Sequence, residues 1–155
     1  ADIPVGFIGD GPMKEAIRKA NPNAEIHPWI ASGAVLDAMA KARALALPSL
    51  WFEPGPLVVA EARSIGLPVI LSRLTGPASW IVDGEDGLIV DPGDIEGLAQ
   101  ALTTLKNDAA VAQMGFSAYN NYWRDPLSTK RHVKRTLALY ETAHDWRSKR
   151  PALAA

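Results

Sequence analysis

The sequence contains no cysteine. That excludes a disulfide framework and any thiolate metal site, and it fits a reducing compartment. Neither sign of charge is in excess: 16 Lys and Arg face 17 Asp and Glu, a formal net charge of -1. No global positive field therefore gathers nucleic acid. Histidine is scarce, and His27, His132 and His144 lack metal-ligand spacing, so no metal is expected. No apolar run reaches the ~18 residues that cross a bilayer. The N-terminus passes from Asp2 straight into an apolar stretch, without the basic segment of a signal peptide. What remains is a chain that is 48% hydrophobic, too apolar for disorder, and its 155 residues fit one domain with a core. The expectation is a soluble, cytoplasmic protein or fragment.

Short apolar runs alternate with helical patterns along the chain. Pro4 to Ile8 reads as a strand stopped by the turn Gly9-Asp10-Gly11-Pro12. Met13 to Ala20 has helical spacing, and Glu25 to His27 is a short strand. Ser32 is placed as the N-cap of a helix over Gly33 to Ala42. Ala44 to Leu47 reads as a buried strand, Leu57 to Ile65 as a helix ended by Gly66, and Val69 to Leu71 as the next strand. A helical turn is expected over Ser79 to Val82 and a last strand over Leu88 to Val90. Asp94 caps a helix over Ile95 to Lys106; Ala109 to Tyr122 and Ser128 to His144 follow as helices. The domain is expected to span residues 1–144, with 145–155 a frayed tail.

Such alternation predicts an α/β fold: one parallel sheet covered by helices on both faces, a three-layer αβα sandwich. Ligands of such sheets bind beyond the carboxyl ends of the strands. The stretch from Pro48 to Ala62 lies there, and within it Glu53 and Glu61 are separated by seven residues. Glu53 falls in the turn after a strand, and Glu61 lies one turn beyond Leu57 in an otherwise apolar helix. Its carboxylate leans back toward the helix N-terminus, where free N–H groups suit a phosphate. A carboxylate also accepts hydrogen bonds from two vicinal hydroxyls, so a sugar diphosphate could offer its ribose to Glu61 and its hexose to Glu53. Spacing alone leaves another reading open: Glu53 a solvated turn residue, and Glu61 a helix carboxylate paired with Arg63 or Arg43.

These residues resemble the E-x7-E signature of the large retaining GT-B glycosyltransferase family, the group 1 type. Pro48, Ser49, Glu53, Glu61, Ala62, Gly66, Pro68 and Val69 match its pattern. Phe7 to Pro12 is similar to its v-G-d-G-p turn, and Val82 to Asp94 to its v-D-G-x-x-G-l-l-v-x-p-g-d segment. The resemblance implies half of a GT-B fold, a Rossmann-like donor-binding domain without its first strand and without the N-terminal acceptor domain. It implies that Glu53 contacts donor-sugar hydroxyls as the catalytic carboxylate and that Glu61 binds the ribose. It also implies that the N–H groups of Leu57 and Val58 hold the diphosphate. Gly9 and Gly55 would line the donor, and Trp29 and Ile30 would border the base. The nucleotide-diphosphate sugar is a substrate, and no cofactor is expected.

Three positions depart from the family pattern: Pro56 and Pro28 stand where glycine is usual, and Ser79 where a glutamate is common. The expected function is the donor-binding part of a retaining glycosyltransferase, inactive alone. The alternatives are a non-catalytic nucleotide-sugar-binding module and half of a nucleotide-sugar epimerase. Arg124, Lys130, Arg131, Lys134 and Arg135 form a basic cluster, read as a solvated face or a peripheral contact with anionic lipid at the inner membrane face.

Overall fold

A computed structural model describes residues 3–148. The elements run β1 (Gly6–Ile8), α1 (Lys14–Ala20), β2 (Glu25–His27), α2 (Ser32–Lys41), β3 (Leu45–Leu47), α3 (Leu57–Ser64) and β4 (Val69–Ser72). A 3-10 turn (Gly76–Trp80), β5 (Leu88–Val90), α4 (Ile95–Thr104), α5 (Asp108–Arg124) and α6 (Thr129–Ser148) follow.

Every strand pairing between these elements is parallel, but the strands form two pieces, β1-β2 and β3-β4-β5, rather than one sheet. Strand number and direction follow the sequence reading; the continuous sheet does not.

The layers are set by β4, whose four residues are all buried. Val69 and Leu71 face one core, built with Met39 of α2 and Val59 and Ala62 of α3. Ile70 faces the other way, into a second core with Val90, Ala101, Leu105 and Met114. The period-2 alternation of a strand places successive side chains on opposite faces, so helices cover both sides and the αβα layering holds. β3, expected to be buried, is an edge strand: Leu45 and Leu47 pack against the first core while Ala46 is exposed. The β1–α1–β2 unit has little core of its own, with every residue of β1 exposed and no buried residue in α1.

Helix ends follow local chemistry with several shifts. Asp94 caps α4 by accepting from Gly97 N–H at 2.9 Å, and Gly66, at φ 75°, turns the chain out of α3. Ser32 lies inside α2, whose N-cap is Ala31, so the expected serine cap is absent there. The helical turn expected over Ser79 to Val82 begins earlier, at Gly76, with proline in its first turn. α6 runs four residues past the expected boundary, to Ser148, and the rest of the expected tail lies outside the described residues. At the α5–α6 corner Asp125 accepts Arg131 at 2.6 Å and Arg135 at 3.4 Å. Two members of the basic cluster are therefore ion-paired rather than free.

Candidate functional site

The turns that follow β3, β4 and β5 meet at the carboxyl edge of the three-stranded sheet. Glu53 and Thr75 form an isolated parallel bridge, and Gly76 N–H donates to the Glu53 carbonyl at 2.8 Å. The two loops approach so closely that a Cβ at Gly76 would overlap the Pro54 carbonyl. This is a position where only glycine fits. The Ser49 hydroxyl donates to a carboxylate oxygen of Glu53, a partner that the sequence reading did not name. The half-buried Glu53 side chain is thus held from its own loop while its backbone is held from the next one.

Immediately beyond this loop α3 begins. Pro56 is its N-cap, and among the described residues no side chain caps the helix. The N–H groups of Leu57 and Val58 therefore have no intrahelical acceptor. Val59 N–H already bonds the Pro56 carbonyl at 3.2 Å. Leu57 is 73% exposed, so the helix opens onto solvent at this end.

Glu61 is half-buried on the second turn. The sequence offered Arg63 and Arg43 as its partners, and both are engaged elsewhere. Arg63 pairs with Asp86 at 2.6 Å, and Arg43 pairs with Asp108 at 2.7 Å while donating to the carbonyls of Leu105 and Lys106. Among the described residues no side chain bonds to the Glu61 carboxylate. Positions i and i+2 lie on opposite sides of a helix, so Arg63 cannot turn back toward Glu61.

The other expected residues lie in the turns after β1 and β2. Gly9, at φ 144°, closes the turn after β1, its N–H bonding the His27 carbonyl at 3.1 Å. Trp29 is 83% exposed and Ile30 half-buried in the loop after β2. Gly55 is exposed between Glu53 and α3. At the far side of the edge, Arg73 follows β4 and pairs with Asp91, which follows β5, at 2.8 Å. The hydrogen bond to Asp91 raises the Arg73 pKa first, helped by the charges of Asp91 and Asp83 and opposed by desolvation. Among the described residues no three His, Asp or Glu side chains gather as a metal site, and no helix is long and apolar enough to cross a membrane.

Residues 2–108 match the family model of the glycosyl transferases group 1. An exopolysaccharide phosphotransferase of Streptomyces coelicolor is 37% identical over 110 residues, 68% of this chain and 12% of that protein. The fold of sucrose-phosphate synthase from Thermosynechococcus elongatus matches with a TM-score of 0.76 and 21% identity, covering 90% of this chain and 38% of that one. Anabaena HepE, solved in complex with UDP-glucose, matches with a TM-score of 0.72 and 20% identity over 87% of this chain and 40% of its own. The chain thus spans well under half of the proteins it matches. The motifs, the layered parallel fold and the family match agree: this chain has a Rossmann-like αβα fold of the kind found in GT-B structures and belongs to the glycosyl transferases group 1 family.

Proposed function

We propose that the carboxyl edge of the sheet binds a nucleoside-diphosphate sugar and that the chain serves as the donor half of a retaining glycosyltransferase. The observation that carries this reading is Glu61: a half-buried carboxylate without a protein partner among the described residues, one turn from uncapped helix N–H groups. A partly desolvated acid without a protein partner is free to accept hydrogen bonds from a ligand. Glu61 accepts the two ribose hydroxyls, and the Leu57 and Val58 N–H groups meet the diphosphate where the helix dipole is positive. Gly55 allows the close approach, while Trp29, Ile30 and Gly9 border the nucleoside. Glu53, pre-oriented by Ser49, faces the sugar whose anomeric carbon gains positive charge as the diphosphate departs. In the reaction the anomeric carbon–phosphate oxygen bond breaks and a bond to the acceptor oxygen forms on the same face. The hydroxyl proton passes to the leaving diphosphate. Here the chain supplies position and electrostatic stabilisation rather than a base.

Pro56 favours a second reading, a binding module without transfer, because proline removes one N–H from the rim of the phosphate site. Titration with UDP-, GDP- and ADP-glucose tests donor binding. A Kd near millimolar, about -4 kcal/mol, is expected for one of them. No saturable binding of any of the three refutes the donor site. The polypeptide with its acceptor-binding part then separates transfer from binding alone.

A further inference from the structure

The least expected feature of α3 is an arginine facing the interior. Arg63 is 5% exposed and its partner Asp86 0%. Nη2 of Arg63 donates to Oδ2 of Asp86 at 2.6 Å, and Asn121 of α5 donates to the same oxygen at 2.9 Å. Oδ1 of Asp86 accepts from Val82 N–H at 2.7 Å. The aspartate thus ties three segments together: α3, the loop before β5, and α5. Arg63 Nε is buried with no acceptor among the described residues.

Burying two charges is a poor route to stability, since well-packed apolar side chains can hold the same elements at lower desolvation cost. What the pair supplies is direction. Its bonds have defined angles, and Arg63 stands two residues from Glu61, about 200° around the helix. Locking Arg63 inward therefore fixes the direction in which Glu61 leaves the helix. The end of α3 is held again by Trp123, whose indole N–H donates to the Ser64 carbonyl at 3.0 Å. Just beyond it, Gly66 and Gly115 sit so close that a Cβ on Gly115 would overlap the Gly66 carbonyl. These polar and close-packed anchors all lie at the C-terminal end of α3. The opposite end, where the donor site is proposed, has no side-chain cap among the described residues.

We propose that Arg63 and Asp86, with Asn121, are positioning residues for the donor site. They set the rotation of α3 and so aim Glu61 and the Leu57 and Val58 N–H groups, without touching ligand themselves. This rests on the donor-site reading of α3. The test pairs R63M with D86L in the 155-residue chain, replacing the ion pair by apolar side chains. Thermal melting, titration with UDP-, GDP- and ADP-glucose followed by amide chemical shifts, and residual dipolar couplings of the α3 amides are compared with wild type. The double variant is expected to melt no lower than wild type. It should bind the best of the three probes at least ~tenfold more weakly and show reoriented α3 couplings. Wild-type affinity with wild-type couplings would overturn the proposal and leave the pair a packing feature. If wild type binds none of the probes, the donor reading falls by itself, and the couplings alone judge the positioning: unchanged couplings overturn it. Should the double variant fail to fold, N121A takes its place, since it removes one bond to Asp86 and keeps both charges. There a loss of roughly threefold is expected, and unchanged affinity and couplings overturn the proposal.

Discussion

Replacing Glu61 by alanine should separate binding from stability. Glu61 is half-buried inside α3 and bonds to no side chain among the described residues. Its removal therefore breaks no protein contact of the kind that holds Arg63. Alanine is the better helix former by a few tenths of a kcal/mol, and the half-buried acid no longer has to be desolvated. A net stabilisation of about 0.3–1 kcal/mol follows, which for a domain of this size raises Tm by roughly 1–4 °C. The ligand loses hydrogen bonds to a charged acceptor, about 1.5–3 kcal/mol, which is roughly 10- to 150-fold in affinity. Thermal melts and probe titration on one preparation measure both quantities. In a polypeptide competent for transfer, the same loss should appear in the donor KM, because the ribose does not change during the reaction. Glu53→Ala should act mainly on kcat, since the sugar it faces changes charge in the transition state. A Glu61→Ala protein that melts several degrees lower, or that binds donor like wild type, refutes the assignment.

Gly76→Ala should cost more than about 2 kcal/mol and weaken donor binding, because its Cβ would overlap the Pro54 carbonyl and push the Glu53 loop off Thr75; chemical denaturation measures it. Trp29→Ala should leave Tm unchanged, the side chain being 83% exposed, yet reduce discrimination among the three nucleotide probes. Asp94→Ala should lose about 1 kcal/mol by urea unfolding, from the cap bond to Gly97 N–H. The raised Arg73 pKa has a definite sign: the stabilisation is present below the unfolded arginine pKa and is lost only as pH rises through the still higher folded value. The Tm difference between wild type and Arg73→Gln should therefore stay constant between about pH 6 and 9.

Much of this was legible because the chain punctuates itself. β2 and β5 coincide with the strands read from sequence, and Gly66 ends α3 where a left-handed residue is needed. The motif around Glu53 and Glu61 falls, as read, in the loop and the helix that follow β3. What local pattern cannot encode is which strands lie side by side. β1 and β3 each read as strands, but the gap between their two sheets depends on lateral neighbours that no window of sequence contains. The same limit hid the edge character of β3.

The partners of Glu61 show the other limit. Arg63 was the nearest cation in sequence, yet helix geometry points it away, and its partner Asp86 lies 23 residues on. A signal existed: an arginine among Val58, Val59, Ala60 and Ala62 breaks the apolar character of a helix that must pack. Such a residue needs a buried acid of its own. Asp86, inside the segment that resembles the family motif, was an available candidate. The glycine that follows it agrees, because a Cβ at Gly87 would come within 2.9 Å of Ile81 and 3.0 Å of Val69. Gly87 therefore lets the segment press against β4 and carries Asp86 into reach of α3. The segment that resembles the family motif thus serves packing, and through Arg63 it reaches the helix that carries Glu61.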